Sequence, residues 1–132
     1  MGARSKARRR ALDILFESEL RGLPTGGTLA DRLAREDRPL NDYTVALVLG
    51  VTEHADEIDE VISQRAAGWT LDRMPAVDRN LLRIAVYELL YERDTPNEVV
   101  LSEAVEIARE LSTDDSPSFV NGVLSAIAGV GE

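Results

Sequence analysis

The segment from Trp69 to Tyr91, WTLDRMPAVDRNLLRIAVYELLY, limits the fold more than any other stretch of the chain. From Pro75 onward Val77, Leu81, Ile84, Ala85 and Leu89 form one stripe at helical spacing, and Leu82, Val86 and Leu90 form a second beside it. A helix that is apolar over most of its circumference belongs in the middle of a bundle, because a surface helix keeps one face polar. Pro75 suits the first helical position, where its missing N–H costs nothing, and Gly68 suits the end of the preceding helix. The other helices are therefore expected to form a jacket around this one.

Period 3.6 recurs along the rest of the chain, and no segment alternates with period two for long enough to make a convincing strand, so the fold class is all-α, with six or seven helices. The first helix is expected from about Ser5 to Arg21, with Leu12, Leu15, Phe16 and Leu20 inward and a stop at Gly22 and Pro24. Thr28 and Asp31 read as an N-cap pair for a short second helix that ends before Pro39. The longest helix is expected over about Tyr43 to Ala67, capped by Asn41 or Asp42, with Leu47, Val51, Ala55, Ile58 and Ile62 on its stripe. Gly50 inside it costs about 1 kcal/mol relative to alanine, which implies close packing against another helix there. TLDRM reads as a single turn and ERDTPN as a loop before a helix over about Asn97 to Leu111. Ser116 reads as the cap of a final helix that opens on Pro117 and turns Phe119, Val120, Val123, Leu124 and Ile127 inward or sideways. Trp69 is expected to pack at a helix junction with its indole N–H bonded.

The 132 residues suit one domain, long enough to bury a core, and the absence of cysteine removes disulfides and thiolate chemistry. No run approaches 18 uninterrupted apolar residues, and charges stand where a signal peptide needs its apolar region, so the expectation is a soluble, cytoplasmic protein. The first ten residues hold Arg4, Lys6, Arg8, Arg9 and Arg10 with no acid, which leaves −14 on the other 122 residues of a chain whose total is −9. The organisation expected is a basic arm over 1–10, a helical part over 11–67 and another over 68–132. An acidic body repels nucleic acid, which confines any such contact to the arm and its surroundings, while the body could attract a basic protein. Arg8 and Arg9 oppose the positive end of the helix dipole by a few tenths of a kcal/mol each, roughly, so something other than helix stability keeps them.

No HExxH, GxSxG, GxGxxG or GxxxxGK[ST] spacing occurs, and His54, the single histidine, reads as a surface residue among acids. Asp114 and Asp115 are favourable just before a helix N-terminus without any ion. Neither catalytic residues, nor a metal, nor a cofactor are expected.

Three motifs carry a family likeness: an Arg-rich start running into ARRRALDILFESEL, then WTLDRMPAVDRNLLRIAVYELL, then EAVEIARELSTDDSPSFVNGVL. With them the chain resembles the NusB transcription antitermination factors over nearly its whole length. The resemblance implies an all-helical fold of two packed helical subdomains around the central helix, without catalysis. It implies binding to the single-stranded boxA element of ribosomal RNA leaders together with NusE, a small-subunit ribosomal protein, within an RNA polymerase antitermination complex. Carried onto this sequence, the family's RNA contacts fall on the basic cluster, Arg4, Lys6, Arg8, Arg9 and Arg10, and on Asp115, Ser116 and Phe119. The contacts to the protein partner fall on Phe16 and Asp78. Arginines beside an exposed phenylalanine could neutralise phosphates and stack a base, which are the two ways single-stranded RNA is held. The alternatives on the residues alone are a frayed terminus for the arginines and core positions for Phe16 and Phe119. On the RNA-binding reading, replacing Arg8, Arg9 and Arg10 removes RNA binding with little effect on stability, and the Asp78 carboxylate faces a basic partner. A NusB-like domain also opens certain ribosomal RNA cytosine methyltransferases, but those need a further domain with a glycine-rich cofactor loop, and nothing after Val123 offers one. Monomer and homodimer are both compatible with the leucine-rich faces.

Overall fold

The computed structural model describes residues 2–35, 40–92 and 94–129. Its helices are α1 (Ala3–Leu20), α2 (Leu29–Arg35), α3 (Asp42–Glu53), α4 (Ala55–Arg65), α5 (Ala76–Tyr91), α6 (Asn97–Leu111) and α7 (Ser116–Ala128), with a 3-10 turn at Leu71–Arg73. Among the described residues there is no strand.

The all-α expectation holds, and so does the central place of α5, which packs against α1, α3, α4, α6 and α7. Leu81, Leu82, Ile84, Ala85 and Val86 are buried, while Val77, Leu89 and Leu90 are half-buried at the edge of the same core. Every other helix adds to that core: Leu12 and Leu15 from α1, Leu29 from α2, Leu47 and Val51 from α3, Ile58 and Ile62 from α4, Ile107 from α6, and Val120 and Leu124 from α7. Burying this much apolar surface is what stabilises the fold.

The helix expected over Tyr43 to Ala67 is two helices, broken at His54 (φ −107°, ψ 21°). The ladder slackens for one residue only, since the His54 amide donates to the Gly50 carbonyl and the His54 carbonyl accepts from Ile58. The apolar stripe continues from Val51 to Ile58 across the break, which is why the periodicity alone reads as one helix. The His54 ring is half-buried and stacks on Tyr91 at 3.9 Å, so it is an edge of the packing and not a plain surface residue.

Leu20 is 69 % exposed, against the expectation that it points inward. Five residues after Leu15 it has turned toward the far side of α1, and the inward place is taken by Ser18, whose hydroxyl bonds the Ile14 carbonyl and Thr28. Leu111 likewise faces outward at the end of α6. Thr28 directly precedes α2, where its carbonyl accepts from the Arg32 amide, and its buried hydroxyl donates to the Ile14 carbonyl, tying the start of α2 to α1. The expected stop before Pro39, and Arg93 in the ERDTPN loop, lie outside the described residues.

Gly50 packs as expected against α5: a Cβ there would come within 2.8 Å of atoms of the Tyr87 ring. Gly50→Ala should therefore destabilise the protein by about 1–3 kcal/mol even though alanine favours helix. Thermal melting checks this, and Tyr87→Leu in the same chain should recover most of the loss.

Arg79 binds both carboxylate oxygens of Glu19, and Arg83 binds both of Asp59, which links α1 and α4 to α5 through polar contacts. The hydrogen bonds from Arg79 hold the Glu19 carboxyl below the usual carboxylate range, against the opposing effect of burial. A depressed carboxyl adds stability above its unfolded value and loses it as pH falls through its folded value. Glu19→Gln should accordingly be less stable than the parent at neutral pH, and the gap should close as pH falls below about 4.5 in a series of urea melts.

Candidate nucleic-acid interface

The basic segment is not a loose arm, because α1 already begins at Ala3. Arg8 lies four residues before Leu12 and seven before Leu15, hence on the inward face, and it is 4 % exposed. Its guanidinium donates to both carboxylate oxygens of Glu88 at 2.8 and 2.9 Å and to Glu103 at 3.1 Å. Burial opposes the charge, but the hydrogen bond and charge of Glu88 outweigh it and raise the Arg8 pKa. Tyr43 donates to the same Glu88 at 2.7 Å, and burial followed by this bond pushes its phenol up to about 12. The expectation that Arg8 is a solvated terminal residue is thus corrected: Glu88, on the core face of α5, requires it.

Of the other cations of α1, Arg4 meets neutral groups and Arg9 meets an acid of α6. Arg4 donates to Thr95 at 3.0 Å and stands over the Tyr43 ring at 4.4 Å. Ser5 bonds Glu103, and Arg9 forks onto Glu110 at 2.9 to 3.1 Å. Arg10 is half-buried and Lys6 is exposed. Thr95 precedes α6 and Glu110 lies in its last turn, so from Arg4 to Arg9 the contacts run toward the C-terminal end of α6.

Just beyond that end lies a cleft of about 270 Å³, walled by Trp69, Met74 and Phe119 with Asp78, Thr113, Asp115 and Ser116. Thr113 follows Glu110 by three residues, which puts the end of the basic row beside the cleft. Asp115 is exposed and Phe119 half-buried, its ring meeting Trp69 at 6.2 Å and 67°. Ser116 is buried and donates to Asp78, which also accepts from Ser112. The turn between α6 and α7 is thereby pinned to the first turn of α5. Asp78 is 2 % exposed, so the expectation that its carboxylate faces a partner is corrected: the two hydroxyls consume it. Ser116 is the first residue of α7, with Asp115 in the capping position that the sequence assigns to Ser116. Trp69 is 53 % exposed and, among the described residues, its indole N–H has no partner.

The model for the NusB family matches residues 5–129. The chain belongs to the NusB family. It is 56 % identical over 132 residues to the transcription antitermination protein NusB of Kineococcus radiotolerans, covering all of this chain and 97 % of that one. To its counterpart from Acidothermus cellulolyticus it is 57 % identical over 127 residues, covering 96 % and 88 %. Among solved structures, T. maritima NusB is similar with a TM-score of 0.84 at 35 % identity, covering 98 % of this chain and 92 % of that one. A complex of NusB and NusE with double-stranded RNA is similar with a TM-score of 0.81 at 30 % identity, covering 96 % of each chain. These NusB proteins match along nearly their full lengths and bear the antitermination name, which does not favour a methyltransferase fragment.

Of the positions that the NusB likeness singles out, Arg4, Lys6, Arg8, Arg9 and Arg10 share the first turns of α1, while Asp115, Ser116, Phe119 and Asp78 meet at the cleft. Phe16 is half-buried on α1 and lines neither the cleft nor the Arg8 contacts. Sequence reasoning missed Glu88 and Trp69. For Glu88 the signal was present, since it continues the Leu81, Ile84 and Ala85 stripe and an acid there demands a buried partner.

Arg8→Ala leaves Glu88 buried without its counter-charge, so it should cost about 3–5 kcal/mol, whereas Arg9→Ala, at a partly exposed pair, should cost no more than about 1 kcal/mol. Chemical denaturation of the two variants separates them. Near-equal losses would place Arg8 at the surface.

Proposed function

We propose that this protein is a transcription antitermination factor that holds a single-stranded boxA element of a ribosomal RNA leader together with NusE, inside the RNA polymerase antitermination complex. The observation that carries the reading is a row of α1 cations leading to an aromatic cleft at the start of α7, in a chain of the NusB family. The likeness to a solved NusB–NusE–RNA complex supports it. The 132 residues act as one binding domain in the cytoplasm, without catalysis; no helix among the described residues is long and apolar enough to cross a membrane.

Within this reading Arg4, Lys6, Arg9 and Arg10 meet phosphates, and Asp115 and Phe119 meet a base. Arg8, Ser116 and Asp78 act from beneath, by holding α1 and the α6–α7 turn in position. Phe16 offers the contact to NusE.

The test is fluorescence anisotropy of labelled boxA RNA against a scrambled control, with and without NusE, over a range of salt. With four cations at about −0.7 each, the slope of log affinity against log salt should not be steeper than about −2.8, or roughly 50-fold between about 50 and 200 mM. Arg9→Ala should flatten the slope, while Phe119→Ala should lower affinity at every salt concentration. No preference for boxA over the scrambled RNA, with NusE present, would overturn the reading.

A further inference from the structure

Trp69 is the single tryptophan of the chain, and the fold spends backbone strain to present it. After α4 the chain reverses through Ala67 (φ 33°) and Gly68 (φ 86°), and the Trp69 amide closes the turn on the Ala66 carbonyl at 2.9 Å. Ala67 is the one non-glycine residue with positive φ among those described, in a region that side chains rarely adopt. Strain of this kind persists where the surroundings over-determine it, and its outcome here is an indole held half in solvent over a cleft.

Trp69 and Phe119 meet edge to face at 67°, and together they form an aromatic wall of the cleft against which a third ring can stack. Its mouth is acidic. Asp115 is exposed at the rim with Asp114 beside it, and both repel phosphate. A carboxylate there accepts hydrogen bonds, which the N–H groups of a base can donate. A cleft lined in this way suits the base of a nucleotide better than its phosphate.

We infer that Trp69 is a base-stacking residue, which with Phe119 holds one unstacked base of single-stranded RNA while Asp115 accepts an N–H from that base's edge. This rests on the RNA-binding reading above and adds to it a residue and a pocket for one base. Stacking on an aromatic side chain is tolerant of base identity, so sequence preference at this position comes from the carboxylate.

Because Trp69 alone supplies indole emission, the pocket can be watched directly. Labelled boxA RNA is titrated into the full chain with NusE present, and label anisotropy and tryptophan-selective emission are followed together, using a NusE whose own tryptophans, if any, are replaced. Emission should be quenched with the same midpoint as the anisotropy. A series of RNAs, each lacking one base at an abasic site, should contain one member that still binds but no longer quenches. Trp69→Ala should weaken binding roughly 5- to 150-fold, with Trp69→Phe recovering part of it and circular dichroism unchanged in both. Binding by anisotropy with unaltered emission and a wild-type affinity in Trp69→Ala would overturn the base pocket and leave the RNA-binding reading standing. Emission that responds to NusE alone, with no further change on adding RNA, would make the cleft a protein contact and overturn the inference. Absence of RNA binding under all conditions would overturn both.

Discussion

A carboxylate on the core face of the most apolar helix can be accommodated only with a fixed counter-charge, and the Arg8–Glu88 pair meets that demand. Apolar contacts between helices are non-directional and tolerate some rotation, whereas a guanidinium forked onto a carboxylate accepts a narrow range of settings. The pair fixes how α1 is turned against α5, Tyr43 extends the same restraint to α3, and Glu103 extends it to α6. With Arg8 held inward, Arg9 is carried about 100° further round α1, over Glu110, and the basic row acquires its direction. The interface is thus set by a residue that is itself nearly inaccessible.

The fold was legible in the sequence to the extent that burial follows periodicity. The α5 stripes, the bounds of α6 and the close approach at Gly50 all follow from spacing and from the cost of glycine in a helix. The break at His54 was not legible, because the apolar stripe runs through it and no proline or glycine marks it. The candidate site was legible in composition but not in depth. A run of five cations reads as a solvated arm, and only the position of Arg8 on the Leu12 and Leu15 face distinguishes the member that is buried. Asp78 carries the same lesson. At the first turn of a helix an acid is favourable anywhere around the axis, and the hydroxyls of Ser112 and Ser116 that draw it inward come from more than thirty residues away.

The cleft depends on that buried polar cluster. Asp78 accepts from Ser112 and Ser116, and Ser116 in turn accepts from the Thr113 amide, so the α6–α7 turn is braced internally and fastened to α5 by two bonds to one carboxylate. A turn fastened in this way loses little freedom when a ligand settles on it, which is where rigid sites gain affinity over mobile ones. Trp69 comes from a separate turn before α5, and its ring meets that of Phe119, so the two sides of the cleft are joined at these rings as well as through α5.

The carboxylates that face the α1 cations have a further consequence for selectivity among polyanions. Arg9 already holds Glu110, and a phosphate that takes its place displaces a counter-ion tethered to the protein, not a mobile salt ion. The ions whose release drives phosphate binding come from the RNA backbone and are freed as before, but the phosphate must compete with the Glu110 carboxylate for the guanidinium. Any chain of negative charge therefore gains less at Arg9 than it would at an unpaired arginine. On the function proposed above, a base seated in the aromatic cleft recovers the difference, so that charge alone is penalised at the Arg9–Glu110 pair.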